Sequence, residues 1–192
     1  VDPAPCPTGS YCLAGTTRAT EHLCPNGTFT NWTSLARESD CATCLPGMYC
    51  GRPGLAYPQG PCEAGYFCSG GSPSATPGDN EFVAYTGETC ANQRAHEPNG
   101  VCPVGHYCEE GSIAPTQCPP GTESAARGLH AVSECQNCTA GYICPNSSVV
   151  VAQIRCDPGF YCPGGDVVST LVCAAGHRCP GGDAVPEPCP AG

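Results

Sequence analysis

Residues 44–50 read Cys-Leu-Pro-Gly-Met-Tyr-Cys, and this pattern of two cysteines around a central glycine decides the fold. The pattern C-x-x-G-x-x-C occurs seven times, usually with an aromatic residue before its second cysteine. Its copies are residues 6–12, 44–50, 62–68, 102–108, 138–144, 156–162 and 173–179. The commonest spacing between copies is about 18 residues, which predicts a tandem-repeat architecture.

A longer version of the repeat occurs twice. Cys24-Pro-Asn-Gly-Thr opens a first long repeat at residues 24–44, and Cys118-Pro-Pro-Gly-Thr opens a second long repeat at residues 118–138. Sliding the chain by 94 residues places six cysteines on six others. The pairs are Cys24 with Cys118, Cys41 with Cys135, Cys44 with Cys138, Cys50 with Cys144, Cys62 with Cys156, and Cys68 with Cys162. Agreement of all six at one offset indicates a higher-order repeat.

The repeat pattern restarts near residue 189. Residues 188–192, Pro-Cys-Pro-Ala-Gly, match residues 5–9 at an offset of 183. We interpret the chain either as about one period of a longer repetitive molecule or as a protomer that stacks head to tail. Both interpretations favour an array over a compact globule.

One segment interrupts the repeats. Residues 69–101 are far longer than the usual connection, and they contain Cys90 and an apolar stretch at 82–85. Insertions of this kind form surface loops, and some lie on a binding or assembly face. The predicted divisions are therefore a repeat block at 1–68, the insertion at 69–101, a second block at 102–172, and the start of a further repeat at 173–192.

The composition leaves little material for an apolar core. Only 26 of the 192 residues are Leu, Ile, Val or Phe, about 14%, below the level of about 20% that usually sustains folding. The 20 cysteines instead make up about 10% of the chain, the density of secreted disulfide scaffolds. The 25 glycines and 22 prolines add many turns between those crosslinks.

Charge and hydropathy exclude several classes of protein. The net charge is −10 with only 7 Lys and Arg residues, so no basic patch is expected to bind nucleic acid. No run approaches 18 apolar residues, so we expect no membrane-spanning segment.

Regular secondary structure is expected to be sparse, because Pro and Gly interrupt the chain throughout. The Gly-x-Tyr segments predict strands of two or three residues that lead into hairpins. Residues 149–151, three valines, are the best strand candidate, and any helix is confined to 34–38 and 125–129. The predicted fold class is small disulfide-rich tandem repeats in an elongated ladder-like rod, mostly loops and turns with short β-hairpins and little helix.

The two long repeats resemble the ephrin-receptor-like cysteine-rich repeats, whose signature is C-P-x-G-T followed by C-x-x-C. They are also similar in style to tumour-necrosis-factor-receptor modules. The resemblance covers most of the chain outside residues 69–101. Such modules occur in large extracellular proteins, including surface and flagellar-hair glycoproteins of algae and other protists, so the resemblance implies an extracellular location.

The resemblance also implies a disulfide pairing in which one bond closes the long loop and the next four cysteines pair alternately. Carried onto this sequence, it pairs Cys24 with Cys41, Cys44 with Cys62, Cys50 with Cys68, Cys118 with Cys135, Cys138 with Cys156, and Cys144 with Cys162. The alternation would continue as Cys173–Cys189. The cysteines that otherwise receive no partner are Cys6, Cys12, Cys90, Cys102, Cys108, Cys173, Cys179 and Cys189.

Four N-x-S/T sequons, at Asn26, Asn31, Asn137 and Asn146, predict N-linked glycans. The cysteine that follows Asn137 makes its sequon the weakest of the four. We predict no cofactor other than these covalent glycans.

The cysteines have one chemical alternative to disulfides, which is zinc. Cys41-x-x-Cys44 and Cys135-x-x-Cys138 have zinc-ligand spacing, but no second C-x-x-C follows at the usual distance. Thiol redox chemistry is disfavoured because no strand–helix context accompanies these motifs. The PGGD turns at 163–166 and 180–183 each offer one carboxylate, where calcium needs several oxygen ligands.

No catalytic constellation is recognisable, and we predict that the chain is not an enzyme. The five histidines are scattered through the sequence at His22, His96, His106, His130 and His177. The residues that precede the second cysteine of their motifs are expected to pack on the adjacent disulfide, or alternatively to form a sugar-binding stripe. They are Tyr11, Tyr49, Phe67, Tyr107, Tyr161 and, as an aliphatic substitute, Ile143.

Two functional hypotheses follow from these features. The first is an extracellular structural glycoprotein that forms or extends a fibre, sheath or surface appendage, with copies of itself and other extracellular glycoproteins as partners. The second is a receptor-type or adhesive ectodomain that binds a protein or glycan ligand through residues 69–101.

Overall fold

The computed structural model of the protein describes residues 5–78, 99–145 and 154–190. These residues form two-residue strands and two 3-10 turns, Glu38–Asp40 and Val132–Glu134, without any α-helix. The strands are β1 Thr28–Phe29, β2 Ala42–Thr43, β3 Met48–Tyr49, β4 Gly60–Pro61, β5 Tyr66–Phe67, β6 Gly100–Val101, β7 His106–Tyr107, β8 Thr116–Gln117, β9 Thr122–Glu123, β10 Gln136–Asn137, β11 Tyr142–Ile143, β12 Ile154–Arg155, β13 Phe160–Tyr161, β14 Leu171–Val172, β15 His177–Arg178 and β16 Glu187–Pro188.

The strands pair in chain order as eight antiparallel two-stranded sheets, β1 with β2 through β15 with β16. In β3–β4, for example, Met48 lies opposite Pro61 and Tyr49 lies opposite Gly60. The first strand of each pair lies just after a motif glycine, and the second lies just before the first cysteine of the next motif. The prediction of short hairpins with little helix is confirmed, and each hairpin joins one repeat to the next.

The two 3-10 turns lie in the loops of the long repeats, at equivalent positions 94 residues apart. They begin at Glu38 and Val132, which is later than the starts of the predicted segments 34–38 and 125–129. The reason is that acidic side chains within these turns accept hydrogen bonds from the backbone just before them. The Asp40 carboxylate accepts from the Arg37 N–H at 3.0 Å, and the Glu134 carboxylate accepts from the His130 N–H at 2.5 Å. The predicted strand at 149–151 lies outside the described residues.

By contact density the chain divides into two compact units. The first comprises Val1–Val101 and Cys108–Ala114, and the second comprises Cys102–Tyr107 and Pro115–Gly192. The repeat blocks predicted from the sequence, and the predicted elongation of the molecule, stay predictions.

Within both units a backbone hydrogen bond runs from a motif glycine to the next complete motif. The N–H of Gly47 donates to the carbonyl of Cys68 at 2.7 Å. The same bond recurs as Gly9–Thr30, Gly27–Cys50 and Gly65–Cys108 in the first unit, and as Gly105–Ser124, Gly121–Cys144, Gly141–Cys162 and Gly159–Cys179 in the second. Thr30 and Ser124 occupy the position of a second cysteine in the long repeats, so these repeats keep the geometry of the short ones.

Three further backbone bonds complete each regular junction, as the junction between motifs 44–50 and 62–68 illustrates. The Gly47 carbonyl accepts from the Cys62 N–H at 2.9 Å, the Cys44 carbonyl accepts from the Gly71 N–H at 2.8 Å, and the Cys50 N–H donates to the Ser72 carbonyl at 2.8 Å. These bonds satisfy the hydrogen-bonding needs of backbone N–H and C=O groups that are not part of a helix or a wide sheet. Each of these bonds joins a repeat to its immediate neighbour, as in other repeat proteins.

At the centre of the motif at 44–50, a glycine is required for two reasons. Gly47 has a φ of +77°, and a Cβ built on it would lie only 2.5 Å from the carbonyl oxygen of Gly111. Side chains rarely adopt that φ, and real Cβ atoms do not approach an oxygen so closely. Gly47 therefore both reverses the chain and allows close packing of the repeats.

The buried apolar side chains of the described residues are fourteen cysteines together with Phe67, Pro77 and Leu129. Nine disulfides cluster in the small repeats. Crosslinks therefore occupy the place that aliphatic side chains take in ordinary domains, as the composition predicted. The fold class of small disulfide-rich tandem repeats is confirmed.

The pairing of those disulfides corrects part of the prediction. Cys24–Cys41 and Cys118–Cys135 are confirmed. The alternating pairs Cys44–Cys62, Cys50–Cys68, Cys138–Cys156 and Cys144–Cys162 are wrong. The structure instead forms Cys44–Cys50, Cys62–Cys68, Cys138–Cys144 and Cys156–Cys162, each within one motif.

The physical reason for this correction is the reversal of the chain at the motif glycine. The Cα atoms of Cys44 and Cys50 lie 5.9 Å apart, inside the range that a disulfide spans. In the long repeats the residue at that second position is Thr30 or Ser124, which has no thiol. Cys24 and Cys118 therefore pair with the next available cysteines, Cys41 and Cys135.

The remaining cysteines follow the same local rule. Cys6 pairs with Cys12 and Cys173 with Cys179, so the predicted continuation Cys173–Cys189 is wrong. Cys102 and Cys108 are also disulfide-bonded. Cys189 is an exposed free cysteine, and Cys90 lies outside the described residues.

Candidate glycosylation and binding surfaces

The predicted glycan acceptors Asn26, Asn31 and Asn137 are all exposed, and Asn146 lies outside the described residues. Asn26 lies in the turn that ends at the motif glycine Gly27, whose φ is +80°. Asn137 belongs to strand β10, opposite Thr122. Asn31 follows the buried Thr30 at the start of the loop closed by Cys24–Cys41.

Sequence reasoning missed a buried carboxylate beside the Asn137 sequon. Glu123 is only 8% exposed, and it accepts from the Thr139 N–H at 2.9 Å and from the Thr139 hydroxyl. Its position two residues after the motif glycine is occupied by apolar or aromatic side chains in most other motifs. That departure was the available signal in the sequence, because a charged residue at a buried position requires hydrogen-bonding partners.

A small polar cluster joins the first motif to the first long repeat. The rings of Tyr11 and His22 stack with centroids 5.3 Å apart, and the Tyr11 hydroxyl donates to the Glu38 carboxylate at 3.2 Å. Partial burial, this hydrogen bond and the Glu38 charge together raise the pKa of Tyr11 above its usual value. The cluster connects the first motif to the loop closed by Cys24–Cys41.

The residues that precede the second cysteine are half-buried for the most part, and Phe67 is buried. The apolar side chain found packed against the Cys138–Cys144 disulfide is Tyr142, which directly follows the motif glycine. In that repeat the contact is made by the residue before Ile143. For the other predicted positions, packing on the disulfide stays a prediction, as does the sugar-binding stripe.

The described histidines have separate surroundings. The His106 Nδ1 lies 2.9 Å from the Val104 carbonyl oxygen, and the His177 Nδ1 lies 3.4 Å from the Ala175 carbonyl oxygen. His22 stacks on Tyr11, His130 is exposed, and His96 lies outside the described residues. Within residues 5–78, 99–145 and 154–190, no group of three or more His, Cys, Asp and Glu side chains suits a metal ion.

The carboxylates of the two PGGD turns form hydrogen bonds within their own turns. Asp166 accepts from the Gly164 N–H at 2.9 Å, and Asp183 accepts from the Gly181 N–H at 2.8 Å. The carbonyls of the same two aspartates accept the N–H groups of Cys144 and Cys162. Both aspartates therefore build the junctions between repeats, in agreement with the turn interpretation.

The inserted segment 69–101 is held together at its base. Strands β5 and β6 pair across it, and the buried Asn99 accepts from the Ser69 N–H at 2.8 Å and donates to the Gly70 carbonyl at 3.2 Å. Its apolar stretch at 82–85 lies outside the described residues.

No protein-family model matches the chain, and no match is found among curated proteins. The resemblance to ephrin-receptor-like repeats therefore stays a prediction. No helix in the described part of the chain has the length and apolar character needed to cross a bilayer. Nine disulfides are typical of a protein that folds in an oxidising environment.

Proposed function

We propose that this chain is an extracellular structural glycoprotein, whose stacked repeats form or extend a fibre, sheath or surface appendage. The observation that carries the proposal is the junction between repeats. Its hydrogen bonds join backbone groups, and the bond from the motif glycine N–H to the next motif recurs eight times in the described residues with different side chains around it. A junction that depends on backbone groups allows repeats to be added in series without a new interface for each.

The distribution of the crosslinks supports the same proposal. The motif disulfides lie inside single repeats, so each repeat is stabilised locally. A molecule stabilised in this way does not depend on one central core, which suits a load-bearing extracellular element. The proposal includes N-linked glycans at the exposed sequons and other copies of the same chain as binding partners.

Electron microscopy of the secreted full chain, supported by light scattering, tests the proposal. Regular filaments or sheets that form from purified protein are the expected result. Monomers that stay dispersed at high concentration and capture a soluble ligand would contradict it.

The second candidate is a receptor-type or adhesive ectodomain, and the closed base of the insertion favours it. Asn99 and the β5–β6 pair hold both ends of residues 69–101 against a crosslinked repeat. A loop attached in this way can present a binding surface from a rigid support. Deletion of residues 79–98 distinguishes the two candidate functions. If the chain is a structural protein, the deletion variant still forms filaments. If the chain is a receptor-type ectodomain, the deletion variant no longer captures its ligand.

A further inference from the structure

The first long repeat exposes the single tryptophan of the chain. Trp32 is 73% exposed, the largest fraction among the large apolar residues in the described ranges. Its backbone N–H donates to the hydroxyl of the buried Thr30 at 3.2 Å, which holds this part of the loop in place. An indole ring in so exposed a position offers a flat apolar face to which a ligand can bind.

The exposed ring lies inside a glycosylation sequon, Asn31-Trp32-Thr33, whose three residues are all exposed. In the described residues no hydrogen bond engages the hydroxyl of Thr33. The acceptor asparagine and the hydroxyl that defines the sequon are therefore both accessible in the folded chain.

The other two described sequons differ in this respect. The Thr28 hydroxyl of the Asn26 sequon donates to the Pro25 carbonyl at 2.7 Å. The Thr139 hydroxyl of the Asn137 sequon donates to the buried Glu123. Of the three, only the sequon that contains the exposed ring keeps its hydroxyl free in the described structure.

The second long repeat provides an internal comparison. At the offset of 94 residues, Ala125, Ala126 and Arg127 replace the acceptor, the ring and the hydroxyl. The loop is otherwise similar, with the buried Ser124 donating to the Ala126 carbonyl at 3.2 Å and a 3-10 turn at the equivalent position. The sequon and the exposed indole are present together in one copy and absent together from the other.

We propose that Asn31 carries an N-linked glycan whose first sugars lie on the indole face of Trp32. The proposal rests on the proposed extracellular function, because the chain must pass through the secretory pathway to receive this modification. A pyranose ring has a face of C–H groups that suits an aromatic surface. Covalent attachment to the neighbouring residue keeps the sugar at high effective concentration, so the ring is covered without a second protein.

The test uses the full chain secreted from a eukaryotic host. Mass spectrometry of glycopeptides reports the occupancy of Asn31, and quenching of tryptophan fluorescence by acrylamide reports the exposure of Trp32 alone, since the chain has one tryptophan. Asn31→Gln removes the acceptor, and Thr33→Ala keeps Asn31 but removes the hydroxyl that the sequon requires. Asn26→Gln removes a neighbouring acceptor as the matched control.

The expected result is a glycan at Asn31 and a quenching constant about twofold higher in Asn31→Gln and Thr33→Ala than in the native chain or Asn26→Gln. In a Trp32→Phe background, the triple change Ala125→Asn, Ala126→Trp and Arg127→Thr is expected to transfer both the glycan and the shielding to the second loop. Equal quenching with and without the Asn31 glycan would overturn the proposal, and so would shielding that persists in Asn31→Gln because a protein partner covers the ring.

The outcome also separates this inference from the function on which it rests. A chain that is secreted with its disulfides formed but is unmodified at Asn31 overturns the glycan proposal alone. A chain that is not exported contradicts the extracellular function and this inference together.

Discussion

At the scale of single residues, the motif glycine has the strongest influence on the backbone. Its positive φ reverses the chain, and its missing side chain leaves room for a carbonyl two repeats away, as Gly47 and Gly111 show. These are separable effects, because Gly176 has a similar φ of +81° but no atom within 4 Å of the position a Cβ would take.

This difference gives a matched pair of substitutions. Gly47→Ala is expected to destabilise its junction by about 3 kcal/mol, since backbone strain and a steric clash act together. Gly176→Ala is expected to cost about 1 kcal/mol from strain alone. Hydrogen exchange of the Cys62 and Cys189 N–H groups, which donate to these two glycines, measures both effects. Equal loss of protection in the two variants would show that the close contact with Gly111 contributes nothing.

The hydroxyl of Tyr11 provides a pH-dependent prediction. Because the folded state raises its pKa, the folded chain holds this proton more tightly than the unfolded chain. The stabilisation is therefore complete below the ordinary tyrosine pKa of about 10 and is lost as pH rises through the higher folded value. An absorbance titration at alkaline pH is expected to show one tyrosine that ionises late in the native chain and earlier in Glu38→Gln. An unchanged titration in that variant would rule out the contribution of Glu38.

At the scale of the repeat, pairing depends on whether a thiol occupies the second motif position. Thr30 occupies that position in the first long repeat, and its carbonyl accepts the same hydrogen bond as that of Cys50 in the next motif. The long loop therefore arises from one substitution within an unchanged backbone arrangement.

The double variant Thr30→Cys with Cys41→Ser tests this rule. It is expected to form a disulfide between position 30 and Cys24, because the motif brings residues six apart to a Cα separation of 5.9 Å, as in Cys44–Cys50. Closing seven residues instead of eighteen is expected to lower the stabilisation only slightly, from about 3 to about 2.5 kcal/mol. Mass spectrometry of unreduced peptides identifies the bond, and Cys41→Ser alone is the control, with a free thiol at Cys24. A free thiol at Cys24 in the double variant as well would contradict the rule.

At the scale of the whole molecule, stability depends on crosslinks that are distributed among the repeats. The buried apolar set of the described residues consists almost entirely of half-cystines. Moderate heating with the disulfides intact is expected to leave the repeats folded, because each crosslink contributes about 2–3 kcal/mol by restricting the unfolded chain.

Complete reduction is expected to unfold the chain. Circular dichroism and limited proteolysis before and after reduction measure the effect, with an alkylated sample to prevent reoxidation. A reduced chain that keeps its spectrum and its resistance to protease would show that the repeats have another source of stability.

Local crosslinking also predicts that the loss of one disulfide destabilises only the neighbouring repeats. Replacing both Cys6 and Cys12 with serine is expected to remove protection from the Ser34 N–H, which donates to the Cys6 carbonyl. The Cys68 N–H, which donates to the Ser112 carbonyl, is expected to keep its protection because the junctions connect nearest neighbours. Hydrogen exchange across the chain reports this, and a uniform loss of protection would instead indicate one cooperative unit.

Several features of the chain were predictable from its residues alone. The 20 cysteines, the poverty of aliphatic side chains and the C-x-x-G-x-x-C spacing predict a disulfide-rich repeat protein with short hairpins. The long loop bonds Cys24–Cys41 and Cys118–Cys135 were also predicted correctly, from a family resemblance. Composition indicates the fold class because it limits how much apolar surface the chain can bury, and the repeat spacing indicates where each crosslinked unit begins.

The partners of Cys44, Cys50, Cys62 and Cys68 were not predictable in this way, because spacing alone allows both alternating and local pairing. The choice depends on the distance between Cα atoms, which follows from the φ of the motif glycine and from the hydrogen bonds of Gly47 to the next repeat. The accessibility of the Thr33 hydroxyl and the burial of Glu123 likewise depend on neighbouring parts of the folded chain. Cysteine content and motif spacing thus establish that this protein consists of disulfide-crosslinked tandem repeats. The packing of each repeat on the next determines which cysteines pair and which side chains are accessible. Cysteine pairing and side-chain accessibility depend on distances in space and not on separation along the chain.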